Sequence, residues 1–144
     1  MLFRYTAVCV LFAGTIPFAL FAQAEAQPQS TIHLELNTLN DTEGACRLTF
    51  VAQNATGSEI DQAVFETVIF NSSGGVVTLS LFDFRDLPQG RPRVRQFDVP
   101  GVTCASVGRI LINGSSTCSA DGTESELCAN SLSLSSRIAV ELLG

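Results

Sequence analysis

The sequence predicts an all-β fold, an antiparallel sandwich of about seven strands, from three observations. Short runs of β-branched and aromatic residues alternate in polarity with a period of two, as half-buried strands do. Clusters of Gly, Asn, Asp and Pro interrupt these runs at nearly regular intervals, where turns are expected. Helical periodicity is almost absent, so we expect no helical core.

The first two predicted strands have one apolar face and one polar face. In residues 31–36 the apolar side chains share one face and the polar side chains share the other: Ile32, Leu34 and Leu36 against His33 and Glu35. Residues 47–53 alternate in the same way and end at an Asn-Ala-Thr-Gly segment, which predicts a turn. We therefore expect one buried face in each strand.

The next two predicted strands are apolar on both faces. Residues 62–70 predict a central strand, because apolar side chains occupy both parities. In residues 76–84 the parity of the apolar side chains changes, with one set followed by another: Val77, Leu79 and Leu81, then Phe82 and Phe84. A β-bulge or a bend near Leu81 would reconcile the two sets.

Two strands precede the C-terminal region. One ends at Phe97 and Val99, before a Pro-Gly turn. The other spans residues 107–113 and ends at Asn113-Gly114, a strong tight-turn dipeptide.

The C-terminal region predicts one helical turn and one strand. Thr123 and Glu126 have capping-box spacing ahead of residues 127–132, which predicts a short helical turn. Residues 137–143 then alternate as a strand whose inward side chains are Ile138, Val140 and Leu142.

Seven short strands with regular turns are typical of an immunoglobulin-like sandwich. We expect one such domain over residues 27–144, because this length is near the usual size of a single domain. A small barrel is the alternative, since strand content does not determine whether a sheet closes.

Residues 1–26 have the anatomy of a secretory signal peptide. Arg4 is followed by an uncharged apolar run over residues 7–22 and by patterns that predict cleavage after Ala24 or Ala26. A transmembrane anchor is the alternative, but the run is short for a hydrocarbon core of ~30 Å and contains glycine and proline. We therefore expect a periplasmic or secreted protein with no membrane span after processing.

Four cysteines follow this leader, at Cys46, Cys104, Cys118 and Cys128. An even number in an oxidising compartment predicts two disulfides. Proximity in sequence favours Cys118 with Cys128, which leaves Cys46 with Cys104. The chain-entropy model gives these loops about 3 and about 4 kcal/mol of stabilisation. A tetrathiolate zinc site is the alternative, but the chain contains no Cys-x-x-Cys pair.

Charge and composition argue against several classes of function. The net charge is −6 and all eight cations are arginines, so the chain repels nucleic acid and has no lysine nucleophile. His33 is the only histidine, and we predict a solvated strand residue there and no catalytic residue. Acidic residues cluster at 83–86 and 121–126 without the order of a known calcium motif, so we expect neither a metal nor another cofactor.

One candidate binding strip consists of Arg91, Arg93 and Arg95, which recur with a period of two. Guanidinium groups bind carboxylates in bidentate fashion, so the strip would dock an acidic partner or an anionic glycan. Because Phe97 and Val99 share this parity, either a bulge intervenes or the first two arginines precede the strand ladder. The alternative is a surface strip paired with neighbouring aspartates.

Several features of residues 48–99 occur in a recognisable order: a strand ending at Asn54, a strand over residues 60–70, Gly74-Gly75-Val76-Val77, Leu87-Pro88-Gln89-Gly90 and Phe97. In this order they resemble the FxLYD-type immunoglobulin-like domains of bacterial envelope proteins. The chain has Val68-Ile69-Phe70-Asn71 in place of that family's Phe-x-Leu-Tyr-Asp core. The whole chain also resembles a family of secreted Gram-negative bacterial proteins without an established activity. The resemblance implies a sandwich and no catalytic residue.

We therefore expect a non-catalytic binding or structural module with a protein or glycan partner outside the cytoplasm. One alternative is an envelope or fibre subunit that assembles by edge-strand pairing, with Leu142-Leu143-Gly144 as a candidate edge. A small secreted hydrolase is the other alternative.

Overall fold

The computed structural model describes residues 30–144, which form two packed β-sheets. The predicted leader lies outside the described residues. Two separate sheets confirm the predicted sandwich, with a single four-residue α-helix and a 3-10 turn as the helical elements of residues 30–144. No helix in this part of the chain is long and apolar enough to cross a membrane.

Sheet A has four strands, which lie in the order β5 (Arg93–Pro100), β2 (Ala45–Ala55), β1 (Thr31–Thr42) and β8 (Leu132–Ser136). Sheet B has five strands, in which β4 (Val76–Leu87) pairs with β3 (Ile60–Asn71), β3 pairs with β6 (Val107–Ala120), and β6 pairs with both β7 (Thr123–Glu124) and β9 (Glu141–Leu143). The 3-10 turn spans Cys104–Ser106, and α1 spans Leu127–Asn130.

The order of the first six strands is immunoglobulin-like. Strand β2 lies between β1 and β5, and β3 pairs with β6. In the immunoglobulin architecture, whose strands are lettered from A along the chain, strand B likewise lies between A and E, and strand C pairs with F. Strands β8 and β9 depart from the predicted antiparallel pattern, because they pair in parallel with β1 and β6. The chain crosses from sheet A to sheet B between them, through residues 137–140.

The core between the sheets is built on phenylalanine. Phe50 of sheet A contacts Phe84 of sheet B edge to face at 5.4 Å, and Phe84 contacts Phe65 at 5.6 Å. Phe82 and Phe97 stack at 4.3 Å across the side where β4 and β5 meet. Edge-to-face and stacked pairs at these distances stabilise beyond simple burial, so this cluster joins the two sheets.

Each sheet carries one disulfide, and both predicted pairings are present. Cys46 of β2 bonds to Cys104 of the 3-10 turn, with a Cα–Cα distance of 4.9 Å. Cys118 of β6 bonds to Cys128 of α1, with a Cα–Cα distance of 5.8 Å.

The predicted turn at Asn113-Gly114 is wrong, because β6 continues through it to Ala120. Strand β3 pairs with β6 on both sides of the dipeptide, with Gly114 opposite Glu66 and Ile112 opposite Thr67. Asn113 is therefore the extra residue of a β-bulge. Long-range pairing with a central strand has overridden the local turn preference.

The C-terminal predictions are correct in part. The strand over residues 137–143 is reduced to β9, while Leu142 is buried as predicted. The helical turn is present as α1, but the capping box is wrong, because Thr123 lies in β7. Instead, the Leu127 backbone N–H donates to the Ser125 hydroxyl at 3.2 Å.

The bulge or bend expected near Leu81 is also wrong. Pairing between β3 and β4 is continuous from Asp83 back to Thr78, and the register shifts that flank this stretch lie at Phe84, between Asp83 and Arg85, and at Val77, between Thr78 and Val76. Arg85 has a φ of 58°, in the left-handed region. With no bulge at Leu81, β4 keeps its alternation from Thr78 to Asp83 and turns Leu79 and Leu81 away from the core.

Candidate functional site

Apolar side chains cover part of the outer face of sheet B, where a sandwich usually meets water, and Glu66, opposite Leu81, lies beside them. In register across four strands lie Leu79 of β4, Val68 of β3, Leu111 of β6 and Leu143 of β9. We define the apolar outer face as these four residues together with their neighbours on the same side of the sheet, Val77, Leu81 and Phe70.

The β4 end of the apolar outer face is its most exposed part. Leu81 is 59% exposed, Leu79 53% and Val77 41%, whereas Val68 beside them is only 6% exposed. Single exposed apolar residues are ordinary, but contiguous apolar patches of several hundred Å² on a soluble domain mark contact sites. This face therefore has the character of an interaction surface.

Strand β4 is also a free edge of sheet B. Residues 76–82 contain no charge and no proline, and the one register shift within them lies at Val77, so residues 78–82 lack the devices that block pairing with another chain. The second half of the strand is protected by Asp83, Asp86 and the bulge at Phe84. The unprotected half of the edge coincides with the most exposed part of the apolar outer face.

Charged groups rim this surface without pairing to one another. The Arg109 guanidinium lies 4.9 Å from the Phe70 ring centroid, a cation–π contact. The Asp83 carboxylate accepts a hydrogen bond from the Arg85 backbone N–H at 2.8 Å. Within residues 30–144 the ion pairs involve other side chains, so Arg85, Arg109 and Asp83 keep charge available at the rim.

The predicted arginine strip lies at the edge of sheet A, where β5 pairs with β2 without a bulge. Arg93 and Arg95 belong to the ladder, and Arg91 precedes it. Arg93 and Arg95 both pair with Asp86 of β4, at 2.9 and 3.1 Å, and Arg95 Nε also donates to the Phe84 carbonyl at 2.6 Å. The hydrogen bond from Arg93, with the charge of Arg95, lowers the pKa of Asp86. Two of the three arginines thus bind the two sheets together.

An open groove of about 510 Å³ runs between β4 and β5. Leu81 and Asp83 line one side, and Val94 and Phe97 line the other. Charged and polar side chains complete its lining, so the groove marks the boundary of the apolar outer face at the free edge of β4.

A second groove, of about 400 Å³, lies beside the disulfide of sheet B. Hydroxyl and carboxylate side chains line it, including Thr117, Thr123, Glu124 and Glu126. Asp121, from the same acidic segment, accepts a hydrogen bond from the Glu59 backbone N–H at 3.2 Å. Among the residues that the structure describes, no group of three or more His, Cys, Asp or Glu could hold a metal ion.

His33 has neighbours that sequence reasoning missed. Its Nε2 lies 3.1 Å from the Ser135 hydroxyl and its Nδ1 lies 3.3 Å from the Ser133 hydroxyl, because β8 pairs in parallel with β1. A serine–histidine contact is the first requirement of a serine hydrolase. Here a second serine occupies the place of the orienting carboxylate, and both hydroxyls lie on the face of a paired strand.

The sequence predicted two candidate surfaces, the arginine strip and the edge at Leu142-Leu143-Gly144, and only Leu143 of these belongs to the apolar outer face. The signal was visible in the two parities of β3 and β4, but it was interpreted as a central strand in β3 and as a bulge or bend near Leu81 in β4. The chain matches no protein-family model, and comparisons with curated proteins and with solved structures found no match.

Proposed function

We propose that the protein is a non-catalytic binding module that acts outside the cytoplasm through the apolar outer face of sheet B. The observation that carries this proposal is the row of outward apolar side chains across four strands, which ends in 53% exposed Leu79 on a free edge. Burial of such a patch against a partner releases roughly 25 cal/mol per Å² of apolar surface.

The chemistry of this surface favours a protein partner over a glycan. Protein interfaces have apolar centres and polar rims, and here Arg109, Arg85 and Asp83 surround the aliphatic centre. The net charge of −6 opposes nucleic acid and anionic membrane surfaces. An edge strand with outward side chains suits a partner that adds a strand to the sheet.

Two disulfides agree with residence in an oxidising compartment. Together with the predicted leader, they support periplasmic or secreted localisation, as in the Gram-negative proteins that the sequence resembles.

Site-specific photo-crosslinking in the native cells tests this function. A photo-reactive amino acid replaces Leu79 in one variant and Gln53, exposed on the outer face of sheet A, in its matched control. We expect a covalent protein adduct at position 79 and none at position 53. Equal adducts at both positions, or no adduct at position 79, would contradict the proposal.

A small hydrolase is the second candidate, favoured only by the contact between Ser135 and His33. An activated serine reacts with a fluorophosphonate probe, and the variants Ser135→Ala and His33→Ala would each abolish that labelling. A wild-type protein that takes no label under these conditions would remove this candidate.

A further inference from the structure

We propose that a second copy of this chain binds the free edge of β4, so that antiparallel pairing of the two β4 strands joins two sheets B into one. The inference rests on the proposed function, because it names the partner that binds at the β4 end of the apolar outer face. Its evidence is the edge itself, the register that the side chains allow, and the charges that this register brings together.

The unprotected half of β4 is complementary to itself. Residues 76–82 present unpaired backbone groups along one side, and the outward side chains within them are aliphatic. An antiparallel pair of identical strands has a twofold axis, so each copy offers the same surface to the other. Pairing satisfies the backbone groups of both edges at once.

One register keeps every outward apolar side chain opposite another. With the twofold axis at Leu79, this residue faces its own copy, and Val77 faces the partner's Leu81. Moving the axis by one residue, to Ser80, would place Val77 opposite the partner's Asp83. The side chains therefore select the axis at Leu79.

The same register is complementary in charge. It brings Asp83 to the partner's turn between β3 and β4, beyond the register shift at Val77. Arg109 leans towards that turn, with its Nη2 3.7 Å from the position that a Cβ of Gly74 would occupy, and it makes no ion pair within 4.0 Å with Glu141, its register neighbour on β9. Asp83 of each copy thus approaches an arginine of the other, and the contact occurs twice.

Sedimentation velocity of the exported protein with both disulfides intact tests the dimer. Because a strand-to-strand interface is small, we expect a monomer–dimer equilibrium with a Kd in the micromolar range. Leu79→Lys places two ammonium groups face to face on the axis and should weaken the dimer at least ~100-fold. Leu143→Lys, on the same face at the opposite edge of the sheet, should change Kd less than about twofold.

A charge exchange tests the register. Asp83→Arg and Arg109→Asp should each weaken the dimer about tenfold, because each creates two like-charge contacts. The double variant restores the opposite charges and should return Kd to within about threefold of the wild type. These side chains are exposed, and circular dichroism checks that each variant is folded.

A cysteine at the axis provides an independent check. Leu79→Cys should form an intermolecular disulfide under mild oxidation, because opposed residues of an antiparallel pair lie within disulfide reach. Val77→Cys should not, because the two copies of that residue lie about 13 Å apart along the strands.

Three results would overturn the inference: a wild-type monomer at ~1 mM, equal weakening by Leu143→Lys and Leu79→Lys, or a double charge variant that does not recover. The second would indicate face-to-face packing of the two sheets. A monomer whose position 79 crosslinks to a different protein would leave the proposed function standing, whereas a monomer without any crosslink would remove both.

Discussion

The side chains on the outer faces of the two sheets differ in their contacts. Those of sheet A form ion pairs, whereas those of sheet B include a row of aliphatic residues. On sheet A, Arg47 and Asp98 form a bidentate pair at 2.7 and 2.8 Å, and Arg137 pairs with Glu35 at 3.2 Å. The hydrogen bonds from Arg47 lower the pKa of Asp98, and a hydrogen bond from Asn37, with the charge of Arg137, lowers the pKa of Glu35. On sheet B, aliphatic side chains stand in the same positions relative to the core. The outer face of sheet A is therefore suited to contact with water, and the outer face of sheet B is suited to contact with another molecular surface.

The difference begins in the sequence of the central strands. Strands β1 and β2 alternate cleanly, so each has one polar face. Strand β3 is apolar on both parities, which is typical of strands covered on two sides. In a two-layer sandwich only one side of β3 is covered by its own chain, so the second apolar face calls for a partner.

The largest expected effect is a loss of stability when an inward side chain of β4 is truncated, compared with truncation of an outward one. Phe84 is fully buried and contacts three other phenylalanine rings, so Phe84→Ala should reduce the free energy of unfolding by about 5 kcal/mol. Leu79→Ala, on the outward side, should cost less than about 1 kcal/mol. Urea unfolding at a concentration where the protein is monomeric measures both. Similar losses would show that the outward leucine is packed within the monomer.

The disulfides should contribute unequally to the two sheets. The bond of sheet A joins cysteines 58 residues apart, and that of sheet B joins cysteines 10 residues apart. Loop-closure entropy predicts a loss of about 4 kcal/mol for the double variant C46A/C104A and about 3 kcal/mol for C118A/C128A. Guanidinium unfolding gives the comparison, and a larger loss for the sheet B pair would contradict the entropic account.

The alternation of polar and apolar residues was sufficient to predict the sandwich and its central strand, because this signal is local. The spacing of the cysteines was sufficient to predict both disulfides, because four cysteines allow only three pairings. The predictions for Asn113-Gly114 and for β8 failed because pairing with strands distant in the sequence determines the conformation of both segments. The β6 dipeptide has a strong local turn preference, but pairing with β3 determines its conformation. Strand β8 was missed because its alternating serines and leucines are half-buried and pair in parallel with a strand 100 residues earlier.

The apolar outer face could not be predicted from the pattern of polar and apolar residues alone, because that pattern does not show on how many sides a strand is covered. Asn54 shows the same limit. The sequence indicates a turn residue, whereas the structure buries it completely and uses its amide to hold the Ser58 and Leu87 carbonyls at 2.7 Å. Its role depends on the end of β4, 33 residues further along the chain.

Thr67 provides a prediction for the inner face of sheet B. It is fully buried, and its hydroxyl has no hydrogen-bond partner among the described residues. Thr67→Val preserves the shape and removes the unpaired polar group, so it should raise the free energy of unfolding by about 1 kcal/mol. The matched control is Thr49→Val on the outer face of sheet A, where the hydroxyl accepts a hydrogen bond from Gln96 at 3.1 Å and stability should not increase. Destabilisation by Thr67→Val would mean that the hydroxyl has a partner, such as water.

The smallest expected effect concerns Asp86, where sheet B meets the arginines of sheet A. Its pKa is lowered in the folded protein, chiefly by the hydrogen bond from Arg93. Its contribution to stability is therefore present above the unfolded pKa of about 3.9 and is lost as pH falls through the lower folded pKa. Because the side chain is 55% exposed, solvent screening limits the loss in Asp86→Asn to under about 1 kcal/mol at pH 7.

Unfolding of wild type and Asp86→Asn measured from pH 7 down to pH 2 tests this assignment. The difference in unfolding free energy should be constant near neutrality and should shrink as pH falls below the unfolded pKa of about 3.9. Glu43→Gln, an exposed carboxylate in the turn between β1 and β2, is the control and should follow the wild type throughout. A difference that stays constant down to pH 2 would mean that Asp86 stabilises by packing, and Arg95 would then hold the two sheets together through the Phe84 and Asp86 carbonyls alone.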